Sequence, residues 1–278
     1  MFGVSRTVRL VAYSTLVLAT LAMLLPLYVG IVGSTHSFRT LANRAPSWFG
    51  DQGSFNYLSV LVDGLYGIPV STMLFNSMVM ALGIAVGKIV ISFIGSFAIV
   101  YFRFPGRNIC FVIIFLTLML PVEVRIFPTY QVISDLNMLD SYLGLILPLT
   151  ASATAVFLFR QFFMTIPNEI MEAAQVDGAS PLRFMIDILL PLSRTNIAAL
   201  FVILFLYGWN QYLWPLLITT EESMYTIVMG ISRGLNVSEP PPEWNFILPT
   251  VVLAILPPVI IILVMQKQFV KGLIDQEK

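Results

Sequence analysis

Six stretches of this chain carry apolar residues almost without interruption: residues 8–32, 72–101, 109–131, 142–163, 196–218 and 246–266. Each has the about 20 residues that an α-helix needs to cross a hydrocarbon core. Spanning strands would read as short alternating segments, so the continuity predicts helices. Polar stretches separate the runs, the longest at residues 33–71, 164–195 and 219–245. The pattern predicts an all-α polytopic membrane protein with six transmembrane helices, forming a single domain over residues 1–278. The first run follows Arg6 and Arg9 in the manner of a signal sequence. It is too long for one and no small-x-small cleavage site follows, so a retained anchor is expected.

Composition excludes the other classes. Apolar residues make up 58% of the chain and charged residues only 11%, against about 25% charged in an ordinary soluble domain. A soluble fold of this length cannot bury so much apolar surface, and disorder needs the opposite balance. A net charge of zero, with no basic cluster, argues against a nucleic-acid partner. Cys110 is the single cysteine and His36 the single histidine, which leaves no disulfide framework and no Cys- or His-pair metal site. His36 reads as a solvated loop residue, and Asn236-Val237-Ser238 as a chance glycosylation sequon. Both long loops at 33–71 and 219–245 read as irregular, the second stiffened by Pro240-Pro241-Pro242. Lysine and arginine number ten on the side that holds both termini and three on the other. Positive charge collects on the cytoplasmic side, so both termini and the 164–195 loop are expected there.

That loop is the most informative segment. From Ile166 to Arg194 it reads as two short helices around a turn. Pro167 suits a first helical turn, and Glu169 and Glu172 lie toward that helix's positive end. Gly178 is suited to a left-handed C-terminal cap. Ser180 supplies the next N-cap with Pro181 at the first helical position, and Pro191 is expected to end the second helix. Ala173 and Ala174 keep the first helix smooth enough for close approach by another protein, and Ile170, Ala173, Ala174 and Asp177 fall together at helical spacing.

Glu172-Ala173-Ala174, then Gly178, then Ile188 and Leu190-Pro191, resembles the EAA loop of ABC-importer permeases. Further segments carry the likeness across most of the chain beyond residue 70: Met119–Pro128, Phe157–Met164, Asp177–Pro181 and Tyr207–Pro215. The chain is similar to the carbohydrate-type, six-span permeases related to the smaller maltose permease subunit, with Ser193-Arg194-Thr195 standing where many of them have a proline. The resemblance implies the ABC importer type I permease fold. It implies that Glu172, Ala173, Ala174, Asp177 and Gly178 couple to a cytoplasmic ATPase. The implied partners are a second homologous permease subunit, two ATPase subunits that bind the ATP and magnesium, a periplasmic or extracytoplasmic solute-binding protein, and membrane lipid. The implied site is the bacterial inner membrane. The implied solute is sn-glycerol-3-phosphate or a related glycerophospho compound, with a neutral sugar as the alternative.

Charges inside spans are costly and tend to face cavities or partners, which singles out Lys88, Glu123 and Arg125. Glu123 and Asn210 each lie 14 residues into their spans, about 21 Å along a helix. Arg125 is a candidate guide for a phosphate-bearing solute, because guanidinium binds phosphate bidentately. Glu123 and Arg125, two residues apart, point to different faces. Trp209, Asn210, Gln211 and Trp214 are candidate path residues, with Asn210 and Trp214 expected on one face; an aromatic belt is the plainer reading of the tryptophans. Pro121, Pro128 and Pro215 are candidate helix breakers. Lys88 reads as structurally paired. Gly83-Ile84-Ala85-Val86-Gly87-Lys88 superficially matches a phosphate loop, but the glycine spacing is one short and Ile89 replaces the needed Ser or Thr. Helix packing through small residues fits better, so no nucleotide site is expected in this chain. It is not expected to be an enzyme. An ion-coupled secondary transporter, with Lys88, Glu123 and Arg125 as a relay, is the competing class; a non-transporting membrane component is a third. The missing internal repeat and the EAA pattern weigh against the secondary transporter.

Overall fold

In the computed structural model the described residues are 6–46, 48–65, 67–117, 122–236 and 242–274. The side chains of Val122 and Glu123 and those beyond Lys267 lie outside the described residues. In chain order the helices are α1 (Arg6–Gly33), α2 (Phe38–Asn43), α3 (Gly53–Val62), α4 (Val70–Tyr101), α5 (Arg107–Leu116) and α6 (Val122–Asp135). There follow α7 (Tyr142–Ile146), extended by a 3-10 turn at Leu147–Leu149, then α8 (Ala153–Thr165) and α9 (Asn168–Val176). The chain continues through α10 (Pro181–Arg183), a π-helical segment (Phe184–Leu189), α11 (Leu190–Leu192), α12 (Arg194–Trp209) and α13 (Leu213–Ile218). After a 3-10 turn at Glu222–Met224 come α14 (Ile227–Leu235) and α15 (Trp244–Ile274). Among the described residues there is no β-strand, only an isolated bridge between Leu65 and Ile68.

Three helices, α1, α4 and α15, are long and apolar enough to cross a membrane unaided. One expected span is bent, α7 to α8 by 49°, and the α10–α11 stretch of the 164–195 loop meets α12 at a 75° bend. The run at 109–131 contains α5 and the start of α6, and residues 118–121 between them, with Pro121, lie outside the described residues. The expected span 196–218 is interrupted between α12 and α13.

The chain forms two compact units, Met1–Ser71 with Gly230–Leu256, and Thr72–Met229 with Pro257–Lys278. In the first, the loop after α1 is ordered rather than irregular. The buried Asn56 side chain donates to the carbonyls of Ser34 and His36, both at 2.9 Å, and Gly50 N donates to Thr35 Oγ1 at 2.7 Å. His36 is not simply solvated: its Nε2 bonds the Trp48 carbonyl at 2.7 Å. The short helices α2 and α3 let the loop satisfy its backbone internally, which polar composition alone did not signal.

In the second unit, α4 is the central element. Gly83 and Gly87, one turn apart, face Ile146 and Thr150 so closely that an added Cβ would lie 2.6 Å from each side chain. Gly208 of α12 faces the Ala81 backbone, where a Cβ would come within 2.9 Å of Cα. Small residues thus bring α4 against α7 and α12, the packing role expected of the glycine pair. Met80, Ile84, Ile126, Ile133, Leu145, Trp214 and Ile218 fill the space between α4, α6, α7 and α13.

Candidate functional site

Helix α9 and the turn after it form a rigid unit. Gly178 takes φ +74°, a conformation that an L side chain resists. Ala179 N donates to Ala174 O at 2.9 Å and Gly178 N to Gln175 O at 3.0 Å, the paired bonds that close a helix end through a left-handed glycine. Ser180 Oγ then accepts from Arg183 N at 3.3 Å, opening α10 with Pro181 at its first position. Pro167 stands one residue outside the expected place, as the N-cap of α9.

Along α9 the side chains divide by face. Glu172, Ala173, Asp177 and Gly178 are exposed, whereas Ala174 is buried. Val176 stands 87% exposed between them, an apolar knob on the same helix. The opposite face of the loop adjoins a cavity of about 260 Å³ lined by Tyr101, Arg103, Met171, Ala174 and Phe184 among others.

Aromatic rings tie this loop to the long helices. Phe184 lies 5.3 Å from Tyr101 and 6.4 Å from Phe97, ring centre to ring centre. Tyr101 lies 6.1 Å from Phe163, and Phe93 touches both Phe159 and Phe163 at 5.3 and 5.2 Å. A displacement of the loop therefore reaches the end of α4 and the second half of α8 through close-packed rings, which transmit strain because they leave no room to yield. Nothing in the residue spacing signalled this cluster, whose members lie up to 91 positions apart in the chain.

The second helix ends before α12 as expected, at Leu192, one residue past Pro191. The backbone continues to Leu192 and turns at Ser193, whose Oγ and N both bond the Leu189 carbonyl, at 2.6 and 3.0 Å. The π-helical segment just before it absorbs the irregularity, with Leu190 N reaching Met185 O. The 75° bend into α12 sits here, at the Ser193-Arg194-Thr195 stretch.

The residues singled out within the spans do not form one face. The chain breaks between Trp209 and Leu213, so Asn210 and Trp214 do not share a helical side as four-residue spacing had predicted. Proline clashes with the carbonyl four residues before it, and for Pro215 that carbonyl belongs to Gln211, inside the break. Trp209 and Trp214 are 3% and 4% exposed, which excludes an aromatic belt in which they face lipid. Trp209 stacks on Phe205 at 5.7 Å, and Trp214 Nε1 donates to Gly144 O at 3.1 Å. Asn210 and Arg125 are exposed, and Gln211 Nε2 bonds Tyr207 O at 3.1 Å. The Glu123 side chain lies outside the described residues. Pro128 lies within α6 without ending it. Lys88 is buried, and its Nζ sits 3.6 Å over the Tyr207 ring, so its structural partner among the described residues is an aromatic face.

At the other end of this unit, Asp140 joins two loops. Its carboxylate accepts from Thr220 N at 2.6 Å, Thr220 Oγ1 at 2.6 Å and Glu221 N at 2.8 Å, while Asp140 N donates to Ile218 O at 3.1 Å. Slight burial alone would raise the carboxyl's pKa, but the bonds from Glu221 and Thr220 outweigh it and hold it below its ordinary 3.8. A lowered folded-state pKa stabilises above the unfolded value and is lost as pH falls through the folded one. The melting temperature of the purified protein should therefore hold at neutral pH and fall below about pH 4. Asp140→Asn should flatten that part of the profile; an unchanged profile would show that the latch carries no stability.

With this geometry in place, comparison with known proteins decides the family. Residues 89–275 match the model for the binding-protein-dependent transport system inner membrane component. The chain belongs to that family. It is 54% identical over 274 residues to the sn-glycerol-3-phosphate transport system permease protein UgpE of Agrobacterium fabrum, covering 97% of each chain. It is 54% identical over 270 residues to the protein of the same name from Yersinia enterocolitica, covering 95% of each. A bacterial ABC transporter involved in the import of the acidic polysaccharide alginate includes a chain of the same fold, with TM-score 0.83 at 23% identity, covering 97% of this chain and 100% of that one. The protein is thus an inner-membrane permease with the ABC importer permease fold, a transport subunit rather than an enzyme.

Proposed function

We propose that this permease is one of two homologous transmembrane subunits of an ATP-driven importer for sn-glycerol-3-phosphate or a related glycerophospho compound. The observation that carries the solute is the near-full-length identity to permeases of that name. On this reading a solute-binding protein delivers the solute at the periplasmic side. Two ATPase subunits hold ATP and magnesium, and their closure pulls on α9; this chain contributes no catalytic group. Both termini and the 164–195 loop are cytoplasmic, as the ten-to-three split of basic residues supports.

Glu172, Ala173, Asp177 and Gly178 form the exposed docking surface, and Ala174 seats the same helix on the permease. The aromatic cluster passes the pull to α4 and α8. Arg125, Asn210 and Gln211 remain as residues of the solute path, together with Glu123. Trp209 and Trp214 support that path from behind, as packed residues.

The assembled complex offers the test. A photocrosslinker placed at Val176 should capture a nucleotide-hydrolysing subunit, and the companion binding protein should retain sn-glycerol-3-phosphate in calorimetry. Capture of the binding protein at Val176 would invert the topology, and binding only of a neutral sugar would replace the solute.

A further inference from the structure

The Lys88 ammonium is buried within the second unit with no carboxylate partner among the described residues. The residue is 6% exposed, and its Nζ lies 3.6 Å over the Tyr207 ring. The placement follows from the packing. Gly208 presses against the Ala81 backbone, which brings α12 close to α4. Lys88 lies 13 residues before the end of α4, and Tyr207 13 residues after the start of α12. Both are therefore about 20 Å from the helix ends at the coupling loop.

A second cation belongs to the same region. Arg125 stands next to Ile126, which packs in one cluster with Ile84 and Tyr207. Neither Lys88 nor Arg125 has an acidic partner among the described residues. Arg125 is exposed and Tyr207 half-buried, so the pair opens on one side. Gln211 adds an amide at its edge, held by Tyr207 O at 3.1 Å.

Two like charges inside a membrane segment repel each other, and burial raises the cost of each. An aromatic face offsets part of that cost for one of them. An anion between them would offset far more, because attraction strengthens as water is excluded. The groups are also unequal in a useful way. Arg125 offers a planar fork suited to phosphate oxygens, whereas Lys88 is a point charge on a flexible stem that can follow a moving ligand.

We infer that Lys88, Arg125 and Tyr207 form an anion site that holds the phosphate monoester of the solute during passage, with Lys88 as its specificity-determining cation. The inference rests on the transport function proposed above and deepens it. The site favours a phosphate monoester over a neutral sugar, which gives the two cations nothing to pair with. The Tyr207 ring holds the ammonium while the site is empty.

The test uses the complete transporter, with its binding protein, in proteoliposomes supplied with labelled sn-glycerol-3-phosphate. Lys88→Met should raise the KM for uptake at least tenfold while the complex still assembles, and Lys88→Arg should recover most of the loss. Arg125→Gln, at an exposed position, should raise KM in the same direction. Unchanged KM in both Lys88→Met and Arg125→Gln overturns the site. So does a Lys88→Met protein whose assembly falls while KM holds, because that marks a packing role only. Failure of the wild-type transporter to take up any phosphate monoester would instead defeat the underlying function, so the two failures are told apart by the wild type.

Discussion

Gly178→Val should abolish most ATP-driven uptake, lowering it at least tenfold, while the protein still inserts and accumulates in the membrane. The residue has open space around it, with nothing within 4 Å of an added Cβ. Any effect therefore comes from the backbone. At φ +74° a β-branched side chain meets its own carbonyl, at a cost of about 1–2 kcal/mol or more. The turn relieves that strain by opening, which gives up the Ala179-to-Ala174 bond and shifts the Ser180 cap. Helix α9 then loses its fixed angle to Phe184 and the rings beyond it. Gly178→Asn is the control, since asparagine tolerates the left-handed region, and it should retain most uptake. Uptake rates together with membrane abundance measure both outcomes. Wild-type transport by the valine variant would show that the turn need not be rigid to carry the motion.

How much of this was legible in the sequence differs from element to element, for physical reasons. Helices α1 and α4 begin within two residues of the apolar runs that predicted them, because an uninterrupted apolar stretch leaves the backbone no alternative in lipid. The Gly178 turn, the Ser180 cap and the Gly83–Gly87 contact were readable because each is set within a few residues. Breaks inside apolar runs were not. Pro128 and Pro215 look alike in the sequence, yet α6 runs through the first, while the helix carrying the second is interrupted four residues earlier, around Gln211. In α6 the Thr129 hydroxyl bonds the Arg125 carbonyl at 2.7 Å, one of several local bonds that hold the helix past its proline.

Contacts between distant parts of the chain were the least legible. Asp140 meets Thr220 across 80 residues, and Lys88 meets Tyr207 across a longer separation still. Spacing rules relate residues on one helix and carry no information about which helix lies opposite. The coupling surface was therefore visible as a local pattern, whereas the cluster that connects it to α4 and α8, and the cation pair in the span, required the tertiary structure.

Trp214→Ala should lower the stability of the assembled permease by about 3 kcal/mol, at the lower end of what a buried tryptophan costs on truncation because the transfer part shrinks in lipid. For a chain of this size that is a drop in melting temperature of roughly 6 °C or more. Two losses combine. The side chain fills the space between Ile84, Ile126, Leu145 and Ile218, and its removal leaves that space empty. Its indole N–H also serves the Gly144 carbonyl at 3.1 Å. In a regular helix that carbonyl would accept from residue 148, but Pro148 has no N–H to give. The tryptophan thus supplies from α13 the donor that α7 lacks. Trp214→Phe separates the two terms. It keeps most of the packing but leaves the carbonyl unpaired, which costs about 1–3 kcal/mol. A melting series in detergent on wild type, Phe and Ala variants should place the phenylalanine between the other two, with the KM of the surviving transporter unchanged. A raised KM with an unshifted melting temperature would move Trp214 from the packed core into the solute path.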